Sequence, residues 1–577
     1  MKTILFLVAF LCPFSMLIGD EIYPVHPDMV KEPGVPEGAV RKGVFEASDI
    51  FPGTVRDYAV YVPAQYDSGK PAALMVFQDG MSYLKTVPVA FDNLIHSGEM
   101  PVTIALFVNP GVVPALSEEA LPRFNRSFEY DAVDGRYVRF LLEEMMPFAL
   151  QDLNITSDPN LKGLCGSSSG GIAAFAAAWE RPDQFRRIYT TVGTYVGLRG
   201  GNEFPVLVRK TEPKPLRVFL QDGKNDNNLY CGSWWVANQD MLASFRWAGY
   251  EVNHEWGEGG HNRKHGNAIF PDVMRWLWKG WKSDPVVRTH PEQSQSRAGE
   301  FLIEGENWEL VSEGHEFTEG PVVNAEGELY FSDLEASKIW RVGTGGTVEL
   351  FKENTGGTNG LAFAPDGKTL YGCQRDTGRL VSWNIDSGEM TVHVEGVRPN
   401  DVVVAFDGTV YFSEPRKKAV WAISPGGEAV IASDEFSGVN GVVLSTDQTL
   451  VYAADYMGRF VLSGQRKPDG SLAFVQPYYH LHLPPASTDI RSHADGMAVS
   501  EDGWLFVATA LGVQICDQPG RVHLIVPGPV GERHPSNVCL YGNALFITCG
   551  DKVFRREINL KGAQAWAAPT KPEKPRL

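Results

Sequence analysis

Apolar and polar residues alternate in two different ways along this chain, and the change comes near residue 300. In the first half, short apolar runs predict buried strands at 73–77, 102–108, 187–192 and 216–220. Between these runs, apolar residues recur at three- and four-residue spacing, which predicts helices at 91–99, 138–153, 238–248 and 270–281. Strands that alternate with helices are typical of a mostly parallel sheet covered by helices on both faces. The pattern therefore predicts an α/β domain over residues 39–283.

The second half contains a repeated unit. A short motif with a polar residue before an apolar run starts at six anchor positions, which are Glu319, Asn359, Asn400, Asn440, Asp495 and Asn537. The anchors are 40, 41, 40, 55 and 42 residues apart, and most precede an Asp-Gly turn and an aromatic strand. A strand, a tight turn and a strand form a hairpin, and a period of about 40–50 residues is typical of propeller blades. We therefore predict a six-bladed β-propeller over 301–561, with a six-unit solenoid as the alternative.

Three segments break these patterns. Residues 284–300 are rich in Pro, Ser, Gln and Arg, which predicts a linker, and the Pro- and Lys-rich residues 562–577 predict a loose tail. At the start, Lys2 precedes a nearly continuous apolar run that is short for a membrane span. This is typical of a secretory signal peptide, which we place at 1–19. Export to the periplasm or the extracellular space is therefore expected, without a stable membrane anchor after cleavage, and an uncleaved anchor is the alternative.

Composition narrows the classes of partner. The 577 residues include 70 acidic and 52 basic side chains, a formal net charge of −18, and no long basic run. The electrostatic attraction that drives nucleic-acid binding is therefore missing. Seven cysteines without a CxxC pair make neither a disulfide framework nor a zinc ribbon. Cys539 with Cys549 and Cys165 with Cys231 could pair, and free buried thiols are the alternative. The oligomeric state is not predicted.

The sharpest chemical signal in the first half is the run from Gly166 to Gly170, Gly-Ser-Ser-Ser-Gly. It follows an apolar stretch and precedes an Ala-rich helical pattern, which is the strand–turn–helix setting of a nucleophile elbow. The glycines permit a sharp turn and close packing of the helix on the strand. Ser168, at the centre, is the candidate nucleophile. The alternative is an ordinary Ser- and Gly-rich loop.

A nucleophilic serine needs a base and a carboxylate that orients the base. In this arrangement the acid follows the serine in the chain and the histidine comes last. Two acids follow the strand at 216–220, and we favour Asp226 over Asp222 because it lies in the loop proper. His261 comes directly after a Gly-Gly pair and is the favoured base, with His265 as the alternative.

The oxyanion hole is expected to use backbone amides. One is the N–H of Ser169, and the second is that of Gly80 or Met81, in the loop after the strand at 73–77. Trp234 and Trp235 follow the acid loop. They either stack on a sugar or aryl group of the substrate or pack in the core.

The first half resembles the esterase-D-like members of the α/β-hydrolase superfamily, which include enterochelin, feruloyl and acetylxylan esterases. The resemblance spans about 240 residues and rests on four motifs, Phe77-Gln-Asp-Gly80, Gly166-Ser-Ser-Ser-Gly-Gly171, Gly223-Lys-Asn-Asp226 and Gly259-Gly-His261. It implies an α/β-hydrolase fold, ester hydrolysis through an acyl-enzyme, and no cofactor in this domain. It does not identify which ester is the substrate.

In a propeller, residues that start the innermost strands converge on the central channel. Five anchors, Glu319, Asn359, Asn400, Asn440 and Asp495, would form an oxygen-rich cage there. Such a cage suits a hard cation, with Ca²⁺ favoured over Mg²⁺, Mn²⁺ or Zn²⁺. No histidine occupies an anchor, although His493 lies two residues before Asp495. The alternative is that Asn-Gly and Asp-Gly simply form turns.

The second half, over about 250 residues, resembles the gluconolactonase-like propellers, a group that includes senescence marker protein and luciferin-regenerating protein. The matching motifs are Glu319-Gly-Pro321, Arg398-Pro-Asn400-Asp401, Asn440-Gly441 and Asp495-Gly496. The resemblance implies that Glu319, Asn440 and Asp495 hold a divalent metal with Asn400 beside it. It further implies that Arg398 and Asn359 face the substrate and that Asp495 is the candidate base. The motif Phe412-Ser-Glu-Pro415 departs from the family, which often has Asp at the position of Glu414.

Together these features predict an exported bifunctional hydrolase that acts on small molecules. The first domain would cleave a carbohydrate or aryl ester, and the propeller would open a sugar lactone with a bound metal. Two alternatives keep the esterase: the propeller could be a non-catalytic carbohydrate-binding module, or the ester could be that of a siderophore.

Overall fold

The computed structural model describes residues 22–289, 294–485, 489–564 and 567–573. The predicted signal peptide at 1–19 lies outside these ranges. Within them, no helix has both the length and the apolar character that crossing a bilayer requires.

Within the described residues, the first domain has twelve strands and nine α-helices, and a tenth helix lies in the linker. The strands are β1 (Ala39–Phe45), β2 (Arg56–Val62), β3 (Ala73–Gln78), β4 (Thr103–Val108), β5 (Val112–Val113), β6 (Arg123–Phe124), β7 (Lys162–Ser167), β8 (Arg187–Thr191), β9 (Arg217–Gly223), β10 (Asn228–Leu229), β11 (Gly232–Ser233) and β12 (Glu251–Gly257). The helices, of which the last belongs to the linker, are α1 (Val87–His96), α2 (Arg126–Tyr130), α3 (Arg136–Arg139), α4 (Met146–Ala149), α5 (Ser169–Glu180), α6 (Phe204–Lys210), α7 (Trp234–Ala248), α8 (Lys264–Ala268), α9 (Phe270–Leu277) and α10 (Ala298–Phe301). A π-helical segment, Phe140–Met145, joins α3 to α4, and single 3₁₀ turns occur at Pro27–Met29, Gly80–Tyr83, Pro159–Leu161 and Gly201–Glu203.

Eight of these strands form one sheet in the order β1-β2-β4-β3-β7-β8-β9-β12. The strands from β4 to β12 are parallel, and β1 and β2 run antiparallel at one edge. Along β3, Leu74 and Val76 enter the core on one face, while Met75 and Phe77 enter the core on the other. Burial on both faces explains why the strands are continuous apolar runs. The predicted α/β architecture is confirmed.

The second domain consists of six four-stranded antiparallel sheets. Its strands are β13 (Glu309–Ser312), β14 (Thr318–Val323), β15 (Leu329–Asp333), β16 (Lys338–Val342), β17 (Val348–Glu353), β18 (Thr358–Phe363), β19 (Thr369–Gln374), β20 (Arg379–Asn384), β21 (Met390–Glu395), β22 (Val402–Val404), β23 (Val410–Glu414), β24 (Ala419–Ile423), β25 (Ala429–Ser433), β26 (Val439–Leu444), β27 (Leu450–Asp455), β28 (Phe460–Arg466), β29 (Leu472–His480), β30 (Met497–Val499), β31 (Leu505–Thr509), β32 (Gly512–Cys516), β33 (Val522–Val526), β34 (Asn537–Tyr541), β35 (Ala544–Cys549) and β36 (Lys552–Glu557).

These sheets are the six blades of the predicted propeller, and the solenoid alternative is wrong. Blades 1 to 5 are β14–β17, β18–β21, β22–β25, β26–β29 and β30–β33. Blade 6 combines β34–β36 with β13, so the first strand of the domain pairs with its last one and closes the ring. The long spacing before Asp495 corresponds to the extended β28–β29 hairpin, which covers residues 460–480.

The two domains touch along α6 and blade 5. Thr211 forms a parallel bridge with Ile525 of β33, and the Glu212 N–H donates to Ile525 O at 2.9 Å. The Glu212 carboxylate accepts hydrogen bonds of 2.8 and 2.7 Å from Arg556, the guanidinium of which is almost fully buried. The interface therefore contains a charge pair that is largely removed from water.

The segments outside the predicted domains pack against them. Residues 22–38 contact α1 and α9, because Asp28 O accepts from Asn93 and its carboxylate from Arg275. In the linker, the Val286 N–H donates to Asn160 Oδ1. The tail was expected to be loose, but Ala563 N–H donates to Val499 O and Gly562 bridges Ser500. Residues 562–564 and 567–570 instead lie across one end of the propeller channel.

Each cysteine in the described ranges is a free thiol. Cys539 faces Phe546 across the β34–β35 hairpin, while Cys549 faces Lys552. The two pairings considered from the sequence therefore do not occur.

Candidate functional site

Ser168 occupies a sharp turn between β7 and α5. Its φ of 58° lies in the left-handed region that non-glycine residues seldom adopt. A Cβ built on Gly166 would lie 2.0 Å from Gly170 O, and one on Gly170 would lie 3.0 Å from Asp79 Oδ2. The close approach to backbone therefore requires glycine at 166, whereas a side chain at 170 would displace the Asp79 carboxylate by a few tenths of an ångström. The turn presents Ser168 at the carboxyl edge of the sheet.

The side chains of Ser168, His261 and Asp226 form one hydrogen-bonded chain. His261 Nε2 lies 2.7 Å from Ser168 Oγ, and His261 Nδ1 lies 2.6 Å from Asp226 Oδ1. Since an ionised carboxylate only accepts, Nδ1 carries a proton and Nε2 is free to accept one from the serine. The three residues come from loops after β7, β9 and β12, which end at the same edge of the sheet.

Asp222, the other acid considered, is fully buried at the end of β9 and does not bond His261. Its Oδ1 accepts from the Gly223 N–H at 2.7 Å. Burial and the adjacent carboxylate of Asp226 raise the pKa of Asp222 to about 9. The structure thus brings two carboxyl groups together behind the histidine, of which only Asp226 contacts the imidazole.

Two loops supply backbone amides beside Ser168. Ser169 is the first residue of α5, so its N–H has no carbonyl partner within the helix. On the other side, a Cβ on Gly80 would lie 2.3 Å from Val108 N, so only glycine fits there. The Met81 N–H donates to Asn109 Oδ1 at 3.2 Å and is thereby engaged. Gly80 and Met81 both lie in the 3₁₀ turn that follows Asp79.

Two tryptophans lie near the site, and they make different contacts. Trp234 is buried, its ring meets that of His261 edge to face at 5.5 Å, and its Nε1 donates to Thr194 Oγ1 at 3.2 Å. Thr194 Oγ1 in turn lies 3.3 Å from Ser168 Oγ. Trp235 packs on Trp256 instead. Both tryptophans make the packing contacts expected under the second of the two interpretations above.

His265, the alternative base, is stacked on Tyr23, with ring centroids 4.5 Å apart. Its Nδ1 lies 3.4 Å from Gln221 Nε2. His261, and not His265, is therefore the histidine that contacts Ser168.

The propeller anchors lie where the innermost strands begin. Glu319, Asn359 and Asn440 fall inside β14, β18 and β26, so Asn-Gly is not a turn here. The glycines after them serve inter-blade packing: a Cβ on Gly441 would lie 2.2 Å from Asp495 O, and one on Gly360 would lie 2.3 Å from Asp401 Oδ1. Neighbouring blades meet at this ring, which brings the anchors around one channel.

The electrostatics of this ring suit a cation. Burial raises the pKa of Glu319 to about 7. Burial is the main cause that raises the pKa of Asp495 well above its ordinary range, and the negative charges of Glu319 and Asp401 add to the effect. Asn440 Oδ1 is buried and has no hydrogen-bond donor among the described residues. A buried amide oxygen without a donor and two carboxylates that repel each other are ligands of the kind that a hard divalent ion prefers. The residues fit such an ion.

The fit rests on amide and carboxylate oxygens together. Within the described ranges, no group of three or more His, Cys, Asp or Glu side chains has metal-binding spacing. The predicted set contains two carboxylates, Glu319 and Asp495, and its other members are Asn400 and Asn440. Asn400 borders the ring through its backbone, because its carbonyl accepts from the Gly360 N–H at 2.8 Å.

Arg398 lies in the loop that leads into blade 3. Its backbone N–H donates to Glu414 Oε1 at 3.1 Å, and Glu414 Oε2 accepts from Trp421 Nε1 at 2.8 Å. Glu414, the departure from the family motif, is therefore buried and holds this loop. Asn359 lies one blade away, and its carbonyl accepts from Ser332 Oγ at 2.7 Å.

Three features escaped the sequence reasoning. Asp401 is buried and accepts from the Val442 N–H at 3.1 Å, which adds a third carboxyl to the ring. Asn537 Nδ2 donates to Glu319 Oε2 at 3.2 Å. A chain of hydrogen bonds also joins Asp489, His493 and Tyr456, with His493 2.6 Å from the acid and 2.9 Å from the phenol. The motifs Asn400-Asp401 and His493-Ala-Asp495 carried the first and third signals.

In a comparison with known protein families, a different family model matches each half of the chain. Residues 51–269 match the family described as "Putative esterase", and residues 317–550 match the SMP-30/Gluconolactonase/LRE-like region. The chain thus joins an esterase region with an α/β fold to a gluconolactonase-like region that forms a six-bladed propeller. These two regions support hydrolase functions.

Individual relatives match one half each. A gluconolactonase from Zymomonas mobilis is 24% identical over 299 residues, which is 43% of this chain and 80% of that protein. An iron(III) enterobactin esterase from Dickeya dadantii is 23% identical over 238 residues, 38% of this chain, and this chain spans 51% of its length. The solved structure of a Xanthomonas campestris gluconolactonase gives a TM-score of 0.40 at 23% identity, covering 44% of this chain and 91% of that one.

Proposed function

We propose that the first domain is a serine esterase in which Ser168 is the nucleophile, His261 the general base and Asp226 the carboxylate that orients it. The observation that carries this proposal is the hydrogen-bonded chain of 2.7 and 2.6 Å through the histidine. Position along the chain, residue type and distance all agree with the requirements of acyl transfer. The family region over 51–269 supports the same reaction class.

The reaction then follows from the geometry. Ser168 Oγ attacks the ester carbonyl while His261 Nε2 takes its proton, and Asp226 stabilises the imidazolium that forms. The carbon–oxygen bond to the alcohol breaks, and Nε2 returns the proton to the departing alcohol. A water molecule repeats the sequence on the acyl-enzyme, which releases the acid and frees Ser168.

The negative oxygen of each tetrahedral intermediate would be held by backbone amides. The Ser169 N–H is one donor, and the turn of Gly80 and Met81 supplies the second. Because the Met81 N–H already donates to Asn109 Oδ1, a substrate oxygen that binds there must compete with that contact.

For the propeller we propose a metal-dependent lactonase, with Ca²⁺ as the first ion to test. Glu319, Asn440 and Asp495 would hold the divalent ion with Asn400 beside it, and the bound ion supplies Lewis-acid polarisation of a carbonyl. The orphaned Asn440 Oδ1 carries this part of the proposal. The Asp495 carboxylate would accept the proton of the attacking water. Arg398 and Asn359 would bind hydroxyl groups of the substrate.

We further propose that the protein is exported and bifunctional, and that both substrates derive from sugars. The short apolar run after Lys2 supports export. The joining of an esterase region to a gluconolactonase-like region supports a common carbohydrate source for the ester and the lactone. A catecholate siderophore ester is the second candidate, favoured by the similarity to the Dickeya dadantii enterobactin esterase.

One panel tests these proposals. Purified protein would be assayed on 1-naphthyl acetate, methyl ferulate, a catecholate ester and gluconolactone, each with a chelator or a serine-directed phosphonate. We expect the phosphonate and Ser168→Ala to abolish ester turnover only, and the chelator and Asp495→Asn to abolish lactone turnover only. Asp502→Asn, in an exposed turn of blade 5, is the matched control. Lactone turnover absent with every divalent ion would leave the propeller a binding module.

A further inference from the structure

Two buried carboxyl groups meet behind His261. Asp222 and the side chain of Asp226 are both fully buried. Asp226 Oδ1 accepts from His261 Nδ1 at 2.6 Å and from the Asn227 N–H at 2.5 Å, and Asp222 Oδ1 accepts from the Gly223 N–H. The other oxygen of each group, Oδ2 in both cases, is buried and has no donor among the described residues.

Within the described part of the chain, the neighbouring side chains leave no free donor for the Oδ2 atoms of this pair. The Asp226 N–H donates to Gly223 O at 3.0 Å, so the chain turns back after β9 and brings the two carboxyl groups together, and the Asn238 amide of α7 also lies within reach of Asp222. The amide of Asn238, however, already donates to Gly193 O at 2.9 Å and to Trp234 O at 3.0 Å. The nearest lysine in sequence, Lys224, pairs with Glu258 on the surface. Among the described residues, no free donor therefore reaches the two orphaned oxygens.

Two ionised carboxylates in contact would repel each other, whereas one proton between them satisfies both oxygens. We propose that Asp222 is protonated at neutral pH, that it donates a hydrogen bond to Asp226 Oδ2, and that it thereby positions the Asp226 carboxylate for His261. The role in catalysis rests on the proposed esterase function. Asp222 touches no reacting atom and acts through Asp226 alone.

The proton belongs to Asp222 because the surroundings of the two groups differ. Asp226 receives two hydrogen bonds on Oδ1, one from His261 Nδ1 and one from the Asn227 N–H. Asp222 receives one backbone hydrogen bond, and burial together with the Asp226 charge raises its pKa to about 9. Above that pH, Asp222 ionises, Asp226 loses a donor and gains a repelling neighbour, and the imidazole loses its alignment.

The first test is the pH profile of 1-naphthyl acetate hydrolysis. For the wild type, we expect kcat to fall about tenfold per pH unit above pH 9. Asp222→Asn keeps an N–H donor without a titratable proton, so it should remove this alkaline limb. Asp222→Ala should lower kcat at pH 7 about 10- to 100-fold with little change in KM, since Asp226 loses its support. Asp240→Asn, an exposed acid on α7, is the matched control.

Two results would overturn the inference. One is an alkaline limb that persists in Asp222→Asn, and the other is an Asp222→Asn variant that loses as much kcat at pH 7 as Asp222→Ala. Failure of the proposed esterase function is distinguishable, because Ser168→Ala would then keep the ester turnover of the wild type.

A second measurement does not depend on turnover. Infrared spectra at pH 7 would be compared for Ser168→Ala and for the double variant that also carries Asp222→Asn. The difference should contain the carbonyl stretch of one protonated carboxylic acid. A difference that shows only a carboxylate lost would overturn the assignment of the proton, whether or not the protein hydrolyses esters.

Discussion

Arg126 and Asp79 form a two-point ion pair beside Ser168. Arg126 Nε lies 2.9 Å from Asp79 Oδ1, and its Nη2 lies 2.8 Å from Oδ2. The same guanidinium donates to Ser167 O at 3.3 Å. Asp79 has a φ of 54° and directly precedes Gly80 and Met81. Arg126 therefore links the strained residue of the oxyanion loop to the end of β7.

The first prediction concerns this pair. Arg126→Gln should lower kcat for ester hydrolysis about 10- to 100-fold, because small displacements of catalytic groups have effects of that size. Arg126→Lys keeps the charge but loses the two-point geometry, so an intermediate value is expected. Steady-state kinetics with 1-naphthyl acetate provide the measurement. An unchanged kcat in Arg126→Gln would show that the loop holds its shape without the pair.

The control for that experiment is Arg139→Gln. Arg139 pairs with Glu143 four residues later on an exposed helical surface. Exposed pairs of this kind contribute at most about 1 kcal/mol. We therefore expect neither the kinetics nor the thermal stability to change measurably.

The second prediction concerns the interface between the domains. The side chain of Arg556 is 2% exposed and that of Glu212 is 14% exposed. Glu212→Gln removes the partner of a buried guanidinium, which typically costs about 3–5 kcal/mol. Calorimetry should show one domain melting earlier, with faster proteolysis of the linker at 284–300. Glu349→Gln, which breaks an exposed pair with Arg341, is the control. Coincident melting of both domains in Glu212→Gln would contradict the prediction.

The third prediction separates loop support from catalysis in the propeller. Glu414→Ala leaves the Arg398 N–H and the Trp421 indole without their acceptor. An unsatisfied buried donor costs about 1–3 kcal/mol. If Arg398 binds substrate, KM for gluconolactone should rise more than kcat falls. Glu414→Asp keeps a carboxylate on a shorter side chain and should have the smaller effect. A loss confined to kcat would assign this loop a different role.

Much of this architecture could be predicted from the sequence because it repeats or is local. The spacing of the anchors gave six blades, since one blade is one sequence unit. The glycines around Ser168 indicated a sharp turn. The steric clash that excludes a side chain at 166 is with the backbone of Gly170, only four residues later in the sequence. The positions of strands and helices could be predicted because strands buried on both faces are continuous apolar runs, whereas helices buried on one face have apolar residues at three- and four-residue spacing.

The rest depended on contacts between distant segments. The Asn-Gly pairs are compatible with a turn or with a strand, and only the approach of the next blade requires the glycine at 441. The contact of Asp222 with Asp226 depends on how the chain folds back after β9. Cys539 and Cys549 suggested a pair, but the register of the hairpin places Phe546 opposite Cys539. In these cases the residue types indicated which groups could interact, but the distances between them depend on how distant segments pack.

The last prediction is the pH dependence of metal binding. Burial raises the pKa of Glu319 to about 7 and that of Asp495 well above its ordinary range. A carboxylate must lose its proton before it binds a metal, so protons compete with the ion below these values. Calorimetric titration with Ca²⁺ should therefore give an affinity about tenfold or more higher at pH 8 than at pH 6. Glu319→Gln should weaken binding and flatten this dependence.

The stability of the metal-free protein should change with pH in the opposite direction to the Ca²⁺ affinity. A carboxyl group with a raised pKa in the folded state stabilises that state while it is protonated, and this contribution is lost as pH rises through the folded pKa. The metal-free propeller should therefore melt at a lower temperature at pH 8 than at pH 6, and Ca²⁺ should raise the midpoint more at pH 8. Thermal scans with and without chelator measure both effects. Equal Ca²⁺ stabilisation at the two pH values would mean that Glu319 and Asp495 do not hold the ion.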